Sequence, residues 1–450
     1  MAIKVGFVSL GCPKNLINTE NMISLCAEAG YDIVAEDIDA DVVVINTCAF
    51  IQSAKQEAID NILDIAWLKK NRSLKGIVVA GCLAERYGEE IFDEMPEVDA
   101  VIGTGSYDKI VEAVKEAYEG RRFIKKGDPC ALPLGGDRVI TTPAHFAYVQ
   151  IAEGCSNNCT YCIIPKLRGK YRSREMSEII SEVEDLASLG VKEICLVAQD
   201  TTRYGSDLYG SPCLDALLAS LGEIDGIEWI RILYCYPETI TDQLINEIAN
   251  NPKVLKCIDM PIQHINDDIL RRMNRRGDSA LIKDRIRKLR DTVPGIALRT
   301  SLIVGFPCET DEQFAELLEF VKETEFERLG VFGFSCEEGT PAEKFPDQIK
   351  ESVKKKRLDS VMRVQKQIHK KHNKMLVGKT LKVICEGYDK VSEYFYGRSE
   401  YDCPDIDGKV YFLSSRNVAE GEFVNIRINE TADYDLIGNA VFTEADHDKT

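Results

Sequence analysis

The stretch EGCSNNCTYCIIP, Glu153 to Pro165, sets three cysteines, Cys155, Cys159 and Cys162, within eight residues. Thiolates so close together suit soft-metal chemistry, and such trios hold several irons of a cubane cluster. A closed zinc site takes a fourth Cys or His from a nearby second pair. None lies close by, and the five histidines of the chain form no paired ligand motif. An iron left without a protein ligand can bind a small molecule. A zinc knuckle or plain core cysteines remain the alternative at this point.

Outward from this stretch, residues 141–340 repeat an apolar run followed by a helical segment. The runs are FAYVQIAEG, EICLVAQD, WIRILYCYP, CIDMPIQ, LRTSLIVGFP and RLGVFGFS. Such βα repeats suit an incomplete α/β barrel, with an open doubly wound sheet as the alternative. Upstream, KVGFVSL, DVVVINT, GIVVAG and VDAVIG alternate with segments of helical spacing, which predicts βαβ units and a parallel sheet. Downstream, residues 347–375 read as one basic helix; Lys350 to Lys374 holds ten Lys/Arg against two Asp/Glu. The remainder shifts to short alternating strands with Gly, Asp and Asn turns, fitting a small antiparallel, OB-like β-barrel. The expected division is an N-terminal parallel α/β domain at 1–125, a linker at 126–140, a central partial (β/α)6 barrel with its basic helix at 141–375, and the small barrel at 376–445.

The upstream runs share one feature. VGFVSLGC ends in Cys12, VVVINTC in Cys48 and IVVAGC in Cys82. Ligands gather beyond the carboxyl ends of strands in open α/β sheets. Neighbouring parallel strands would bring these thiols to one rim despite their separation in sequence. A single buried cysteine is ordinarily a small hydrophobe; three equivalent placements point to a second cluster. The other ten cysteines read as packing residues.

Composition sets the surroundings. The chain has 450 residues, 16 cysteines and a net charge of −18. That balance disfavours non-specific adhesion to nucleic acid and favours a basic partner. No run approaches the roughly 18–20 apolar residues of a membrane span. The opening MAIKVGFVSLGC reads as a first strand and not a signal peptide. A cytoplasmic location follows, where thiols stay reduced and serve metal or redox chemistry.

GCSNNCTYC resembles the signature of the radical S-adenosylmethionine superfamily, and LIVGFPCET, Leu302 to Thr310, resembles the glycine-containing strand end that approaches the cofactor there. With GCPKN, NTCAF, AGCLAER and the C-terminal barrel, nearly the whole chain resembles the methylthiotransferase family. The resemblance implies two [4Fe-4S] clusters, a radical one on Cys155, Cys159 and Cys162 and an auxiliary one on Cys12, Cys48 and Cys82. It also implies S-adenosylmethionine at the open iron, a C-terminal TRAM domain, a reducing electron donor and a sulfur source. Tyr161 would present backbone to adenine. Gln199, Arg299 and Gly305 lie at predicted strand ends facing the same rim, and Arg174 could neutralise a carboxylate bidentately. Ordinary capping or ion pairing is the alternative for each.

SLGCPKNLINTE, with Lys14 and Asn15, resembles the branch that modifies a ribosomal protein. Ile17-Asn18-Thr19-Glu20 departs from the usual Val-Asp-Ser-Glu. The implied activity adds a methylthio group to the β-carbon of an aspartate of small-subunit ribosomal protein S-twelve, free or on the ribosome. Methylthiolation of a tRNA adenosine is the alternative with the same chemistry. A non-catalytic iron–sulfur protein that binds RNA is the alternative of another class. The segment Gly378 to Thr450, with eight Lys/Arg against fifteen Asp/Glu, suits a basic protein better than RNA.

Overall fold

The computed structural model describes residues 2–442, so residues 443–445 of the expected barrel domain lie outside the described residues. The first sheet holds β1 Lys4–Ser9, β2 Asp32–Ile33, β3 Val42–Thr47, β4 Gly76–Gly81, β5 Ala100–Ile102 and β6 Phe123–Lys125. All pairings are parallel, in the order β2-β1-β3-β4-β5-β6. β3 and β4 are buried at every residue. Helices cover both faces, so these strands read as continuous apolar runs and not as alternation. Ala58, Ile62 and Ile65 of helix Gln52–Asn71 pack on one face; Met22 of helix Pro13–Glu28 and Ile110 and Val114 of helix Ile110–Tyr118 pack on the other.

The central domain starts with β7 Phe146–Gln150. A short antiparallel pair, β8 Ala152–Glu153 and β9 Arg172–Ser173, brackets the cysteine-rich loop. Then follow β10 Glu193–Val197, β11 Trp229–Ile232, β12 Val254–Asp259, β13 Ala297–Val304 and β14 Arg328–Gly333. The parallel sheet runs β14-β13-β12-β11-β10-β7, in strict chain order. A doubly wound sheet reverses its strand order midway; this one never does, so every crossover falls on one side and the sheet is a partial barrel. The largest apolar core, including Val149, Ile194, Leu196, Ile230 and Ile258, lies between these strands and the helices.

Helix Glu351–Leu376 packs along β14 and leads into β15 Thr380–Asp389, β16 Tyr394–Ser399, β17 Val410–Leu413, β18 Phe423–Ala432 and β19 Asp435–Ala440. These close into a barrel in the order β15-β16-β17-β19-β18. The sequence predicts antiparallel strands throughout, but β17 and β19 pair in parallel. A closed ring with an odd number of strands cannot alternate direction everywhere, so one like-directed pair is unavoidable.

The loop after β16 enters the inner face of the partial barrel. Cys403 packs there with Phe146, Tyr148, Cys195, Val197 and Leu233, and Ile17 of the N-terminal domain joins the same cluster. All three domains therefore meet inside the central sheet. Among the described residues, no helix is long and apolar enough to cross a membrane.

Candidate functional site

Cys12, Cys48 and Cys82 leave three adjacent strands. β1, β3 and β4 are in register, Ser9 opposite Asn46 and Thr47 opposite Gly81, so their carboxyl ends form one rim. Cys48 and Cys82 directly follow β3 and β4; Cys12 caps helix Pro13–Glu28 three residues beyond β1. The exits are tight and depend on glycine. Gly11 and Gly81 both have φ +91°, a region that side chains other than glycine rarely adopt. A Cβ on Gly11 would lie 2.6 Å from Cys48 Cβ, and one on Gly81 would lie 2.3 Å from Asn46 Oδ1. Cys48 and Cys82 are buried, Cys12 partly so. Burial, with the charges of Cys82 and Cys12 added, pushes Cys48 up to about 12. Burial pushes Cys12 upward as well, but Lys14 and Arg168 outweigh it and hold that thiol below its usual range.

Cys155, Cys159 and Cys162 occupy the loop between β8 and helix Ile164–Arg168. Gly154 starts it at φ +77°, where a Cβ would lie 2.2 Å from the Lys170 carbonyl oxygen. The Cys155 amide donates to the Gly169 carbonyl at 3.1 Å, and the Thr160 amide donates to that of Met273 at 3.0 Å. Burial raises Cys155 to about 11 and Cys162 further. The three thiols influence one another, as expected for sulfurs facing a shared volume.

Two charged residues connect the trios. Glu153, two residues before Cys155, accepts from Gln150 and Gln199 at 2.6 Å each and from the Gly154 amide at 3.0 Å. Arg168, six residues after Cys162, donates to Glu153 at 3.0 Å, to Asn18 Oδ1 at 2.8 Å, and to Asn15 Oδ1. Its charge also acts on Cys82, which burial nevertheless holds above the ordinary thiol range. Both side chains are buried. Burial would raise the Glu153 carboxyl, but Arg168 and the hydrogen bonds keep it below its ordinary value. Asn15 fixes the rim by donating to the Leu10 and Thr47 carbonyls at 2.9 and 3.0 Å. Lys14 Nζ donates to the Ala198 carbonyl at 3.3 Å and sits 3.6 Å from the centre of the Tyr234 ring, a cation–π contact across the domain boundary.

The remaining residues singled out from sequence fall in different places. Gln199 follows β10 and holds Glu153; its Oε1 is buried with no partner. Gly305 follows β13 at φ +70°, its amide donating to Glu309. Tyr161 packs against a cluster of Met273, Phe306 and Phe334. Arg174 is engaged by Glu182 at 2.5 Å and the Gln150 carbonyl at 2.8 Å. Arg299 requires a correction. It is the third residue of the eight-residue β13, about 16 Å of strand before its carboxyl end at roughly 3.3 Å per residue. It is not at the end of its own strand but opposite Asp259, the last residue of β12. It pairs with Asp259 at 3.2 Å and with Asp407 of the C-terminal barrel at 3.4 Å. Sequence reading missed Glu153 and Arg168 altogether. The signal available for Arg168 is a lone arginine ending the apolar IIPKLR run just after the cysteines. Also missed is the fully buried His264–Glu309 contact at 3.4 Å, with Arg357 at 2.9 Å from Glu309, which fastens the Gly305 turn.

Each trio offers sulfur alone, and the chemistry of that donor set fits iron–sulfur ligation. Two buried cations beside Cys12 favour thiolates and an anionic group there. Among the described residues, no group of three His, Cys, Asp or Glu side chains is arranged to hold a single metal ion. A cubane asks instead for three sulfurs on three different irons.

Partial barrel, cysteine loop and strand-end trio together define a three-domain radical S-adenosylmethionine protein. The family models that match are "Uncharacterized protein family UPF0004" over residues 4–103, "Radical SAM superfamily" over 149–321 and "TRAM domain" over 377–441. Among solved structures, the radical S-adenosylmethionine methyltransferase TsrM from Kitasatospora setae aligns at TM-score 0.54 and 13% identity, covering 86% of this chain and 79% of that one. The cobalamin-dependent radical enzyme OxsB aligns at TM-score 0.50 and 13% identity, over 80% and 56%. These likenesses concern the fold. Curated relatives named ribosomal protein uS12 methylthiotransferase RimO are far nearer in sequence. Those from Thermoanaerobacter sp. (strain X514) and Geobacter sulfurreducens are each 48% identical, covering 96% and 97% of this chain and 99% and 98% of their own. The chain belongs to this RimO family of methylthiotransferases. The radical S-adenosylmethionine class brings with it S-adenosylmethionine and a [4Fe-4S] cluster.

Proposed function

We propose that this chain adds a methylthio group to the β-carbon of an aspartate of ribosomal protein uS12. One observation supports the reading: Cys12, Cys48 and Cys82 leave the carboxyl ends of three adjacent parallel strands, and Arg168, which follows the second cysteine trio, reaches the buried Asn15 of that rim while it pairs with Glu153. On this reading residues 1–125 form the auxiliary-cluster domain, 126–140 the linker, 141–375 the radical domain and 376–445 the TRAM domain. A low-potential electron donor and a sulfur source act as partners.

Cys155, Cys159 and Cys162 would hold the radical cluster, and Cys12, Cys48 and Cys82 a second [4Fe-4S] cluster. When bound, the clusters and S-adenosylmethionine supply what side chains lack: one-electron cleavage for hydrogen abstraction, and sulfur and methyl for transfer. The side chains of this protein position and insulate. Glu153 and Arg168 neutralise each other and tie the two cysteine loops to one spacing. Lys14 sets a positive charge beside Cys12, offsetting negative charge that gathers on sulfur. Gly305, Tyr161 and the unpartnered Oε1 of Gln199 would approach S-adenosylmethionine, while Arg174 and Arg299 are spent on carboxylates. The packed Phe306, Phe334 and Met273 cluster keeps water from that side.

The test supplies reconstituted protein, S-adenosylmethionine and strong reductant with either uS12 or tRNA, and reads products by mass spectrometry. Methylthio mass is expected on the uS12 aspartate. Mass gained on tRNA alone would reject the proposal, and failure to cleave S-adenosylmethionine at all would favour a non-catalytic binding protein.

A further inference from the structure

Helix Glu351–Leu376 divides its basic residues between two tasks. Lys354 donates to the Phe334 carbonyl at 2.7 Å. Arg357 reaches Glu309 at 2.9 Å and Asp311 at 2.8 Å, Lys371 reaches Glu325 at 2.6 Å, and Lys366 lies 3.4 Å from Asp433. Lys355, Lys356, Arg363, Lys370 and Lys374 do none of this. They are exposed and make no ion pair among the described residues, although Asp311 acts on Lys356 and the exposed Asp359 lies three or four positions from Lys355, Lys356 and Arg363. At about 100° per residue the five fall within an arc of roughly 100°, in a row about 28 Å long, and Asp359 and the Asp433-paired Lys366 lie in the same arc.

The row is unusual in its setting, since the chain carries −18 overall. The adjoining helix Asp311–Thr324 exposes Glu312, Glu316, Glu319 and Glu323. Its ties to the basic helix run through Arg357–Asp311 and, just beyond its end, Lys371–Glu325, both on the flank next to the arc of the five. Six cations of the arc stand against one carboxylate of the same helix, Asp359, so the row keeps a positive excess, which suits an anionic surface from outside. The row also begins at the candidate site. A Cβ built on Gly305 would lie 2.4 Å from Lys354 Cγ, so the first turns of the helix lie against the end of β13, with Lys355 and Lys356 exposed on the outer side.

We infer that this face docks on the phosphate backbone of ribosomal RNA, so that the chain takes its aspartate from uS12 already seated in the small subunit. The inference rests on the proposed function, which names uS12. Phosphate contacts position a protein without reading sequence, as five cations spread along one helix face would do. The acidic C-terminal segment then remains for the basic protein, and the two surfaces of opposite charge divide one ribonucleoprotein substrate between them.

The test compares wild type with the triple variants K356E/R363E/K370E and K356Q/R363Q/K370Q on two substrates: purified uS12, and salt-washed small subunits lacking the modification. Binding to protein-free small-subunit RNA, by fluorescence anisotropy, supplies an arm independent of catalysis. On free uS12 both variants are expected to match wild type within about twofold. On subunits the Glu variant should lose about tenfold or more in kcat/KM, and the slope against log salt should fall by about 3, roughly one for each phosphate contact removed; the Gln variant should lose less. RNA binding should weaken in parallel. Equal losses on both substrates, or unchanged activity on subunits, would overturn the inference. So would competition by polyglutamate and not by RNA, which would assign the face to an acidic protein. If wild type modifies neither form of uS12, the functional reading fails and the anisotropy arm alone decides: RNA binding unaffected by the variants overturns this proposal too.

Discussion

Glu193→Gln tests how the C-terminal barrel is seated in the central domain. Glu193 opens β10 and is fully buried. It accepts from Arg231 Nε at 2.8 Å and from Arg398 Nη2 at 2.7 Å. Arg231 lies on β11 and also donates to the Glu400 carbonyl at 3.0 Å; Arg398 lies on β16. One carboxylate therefore joins sheet to barrel. Burial alone would raise its pKa, but Arg398 and Arg231 outweigh burial and bring it from 4.5 to about 2. At roughly 1.4 kcal/mol per pH unit, that difference corresponds to about 3 kcal/mol of docking stability at neutral pH. The sign follows from a folded-state pKa below the unfolded one. The contribution is complete above about pH 4.5 and is lost as pH falls toward 2. Glutamine removes it and leaves two buried guanidinium groups facing each other, with Glu386 the remaining carboxylate on Arg398; the total cost is about 3–5 kcal/mol. Hydrogen exchange followed by mass spectrometry reads the outcome. Amides of β15 to β19 should exchange at least about 100-fold faster at pH 7, and up to a few thousandfold, while those of β3 and β4 stay protected. After correction for intrinsic rates, wild-type barrel protection should fall between pH 4.5 and 2, and the variant should lack that fall. Barrel protection within about twofold of wild type, or an acid-dependent fall retained in the variant, would refute the reasoning.

Three further outcomes are expected. Replacing Cys155, Cys159 and Cys162 together by alanine should leave about half the iron of the reconstituted protein and abolish S-adenosylmethionine cleavage; alanine at Cys12, Cys48 and Cys82 should also halve the iron but spare cleavage, as iron analysis and 5′-deoxyadenosine formation will show. Gly81→Ala forces a side chain into φ +91° and against Asn46 Oδ1. It should destabilise the N-terminal domain by about 1–3 kcal/mol in urea titration and deplete iron to about half, with cleavage retained. Arg168→Met leaves Glu153 buried without its counter-charge and should cost about 3–5 kcal/mol in the same titration; Arg168→Lys should not rescue it, because an ammonium cannot fork to Glu153, Asn15 and Asn18 at once.

The six cysteines were legible because each signal is local. Three lie within eight residues, and three end apolar runs whose parallel pairing follows from the helices between them. The order of βα units was legible for the same reason, since periodicity and connection length are written along the chain. Arg299 was misplaced because apolar character marks that a strand exists but not how deep a given residue lies in it. The ion pairs that tie Glu153 to Arg168 and Glu193 to Arg398 left no pattern, because their partners lie 15 and 205 positions apart and a charged residue in an apolar context reads the same whether paired or not.

Sequence alone determined that this chain holds two sulfur trios, a run of parallel βα units and a small terminal barrel, since each follows from residue type and short-range spacing. Only the tertiary structure decided that a buried Glu153–Arg168 pair reaches the rim of the N-terminal sheet, that the barrel's loop packs on the inner face of the central sheet, and which face of the long helix keeps its charge exposed. Burial is the reason. The energy of a charge depends on what surrounds it in space, and neighbours in space are assembled from distant parts of the chain.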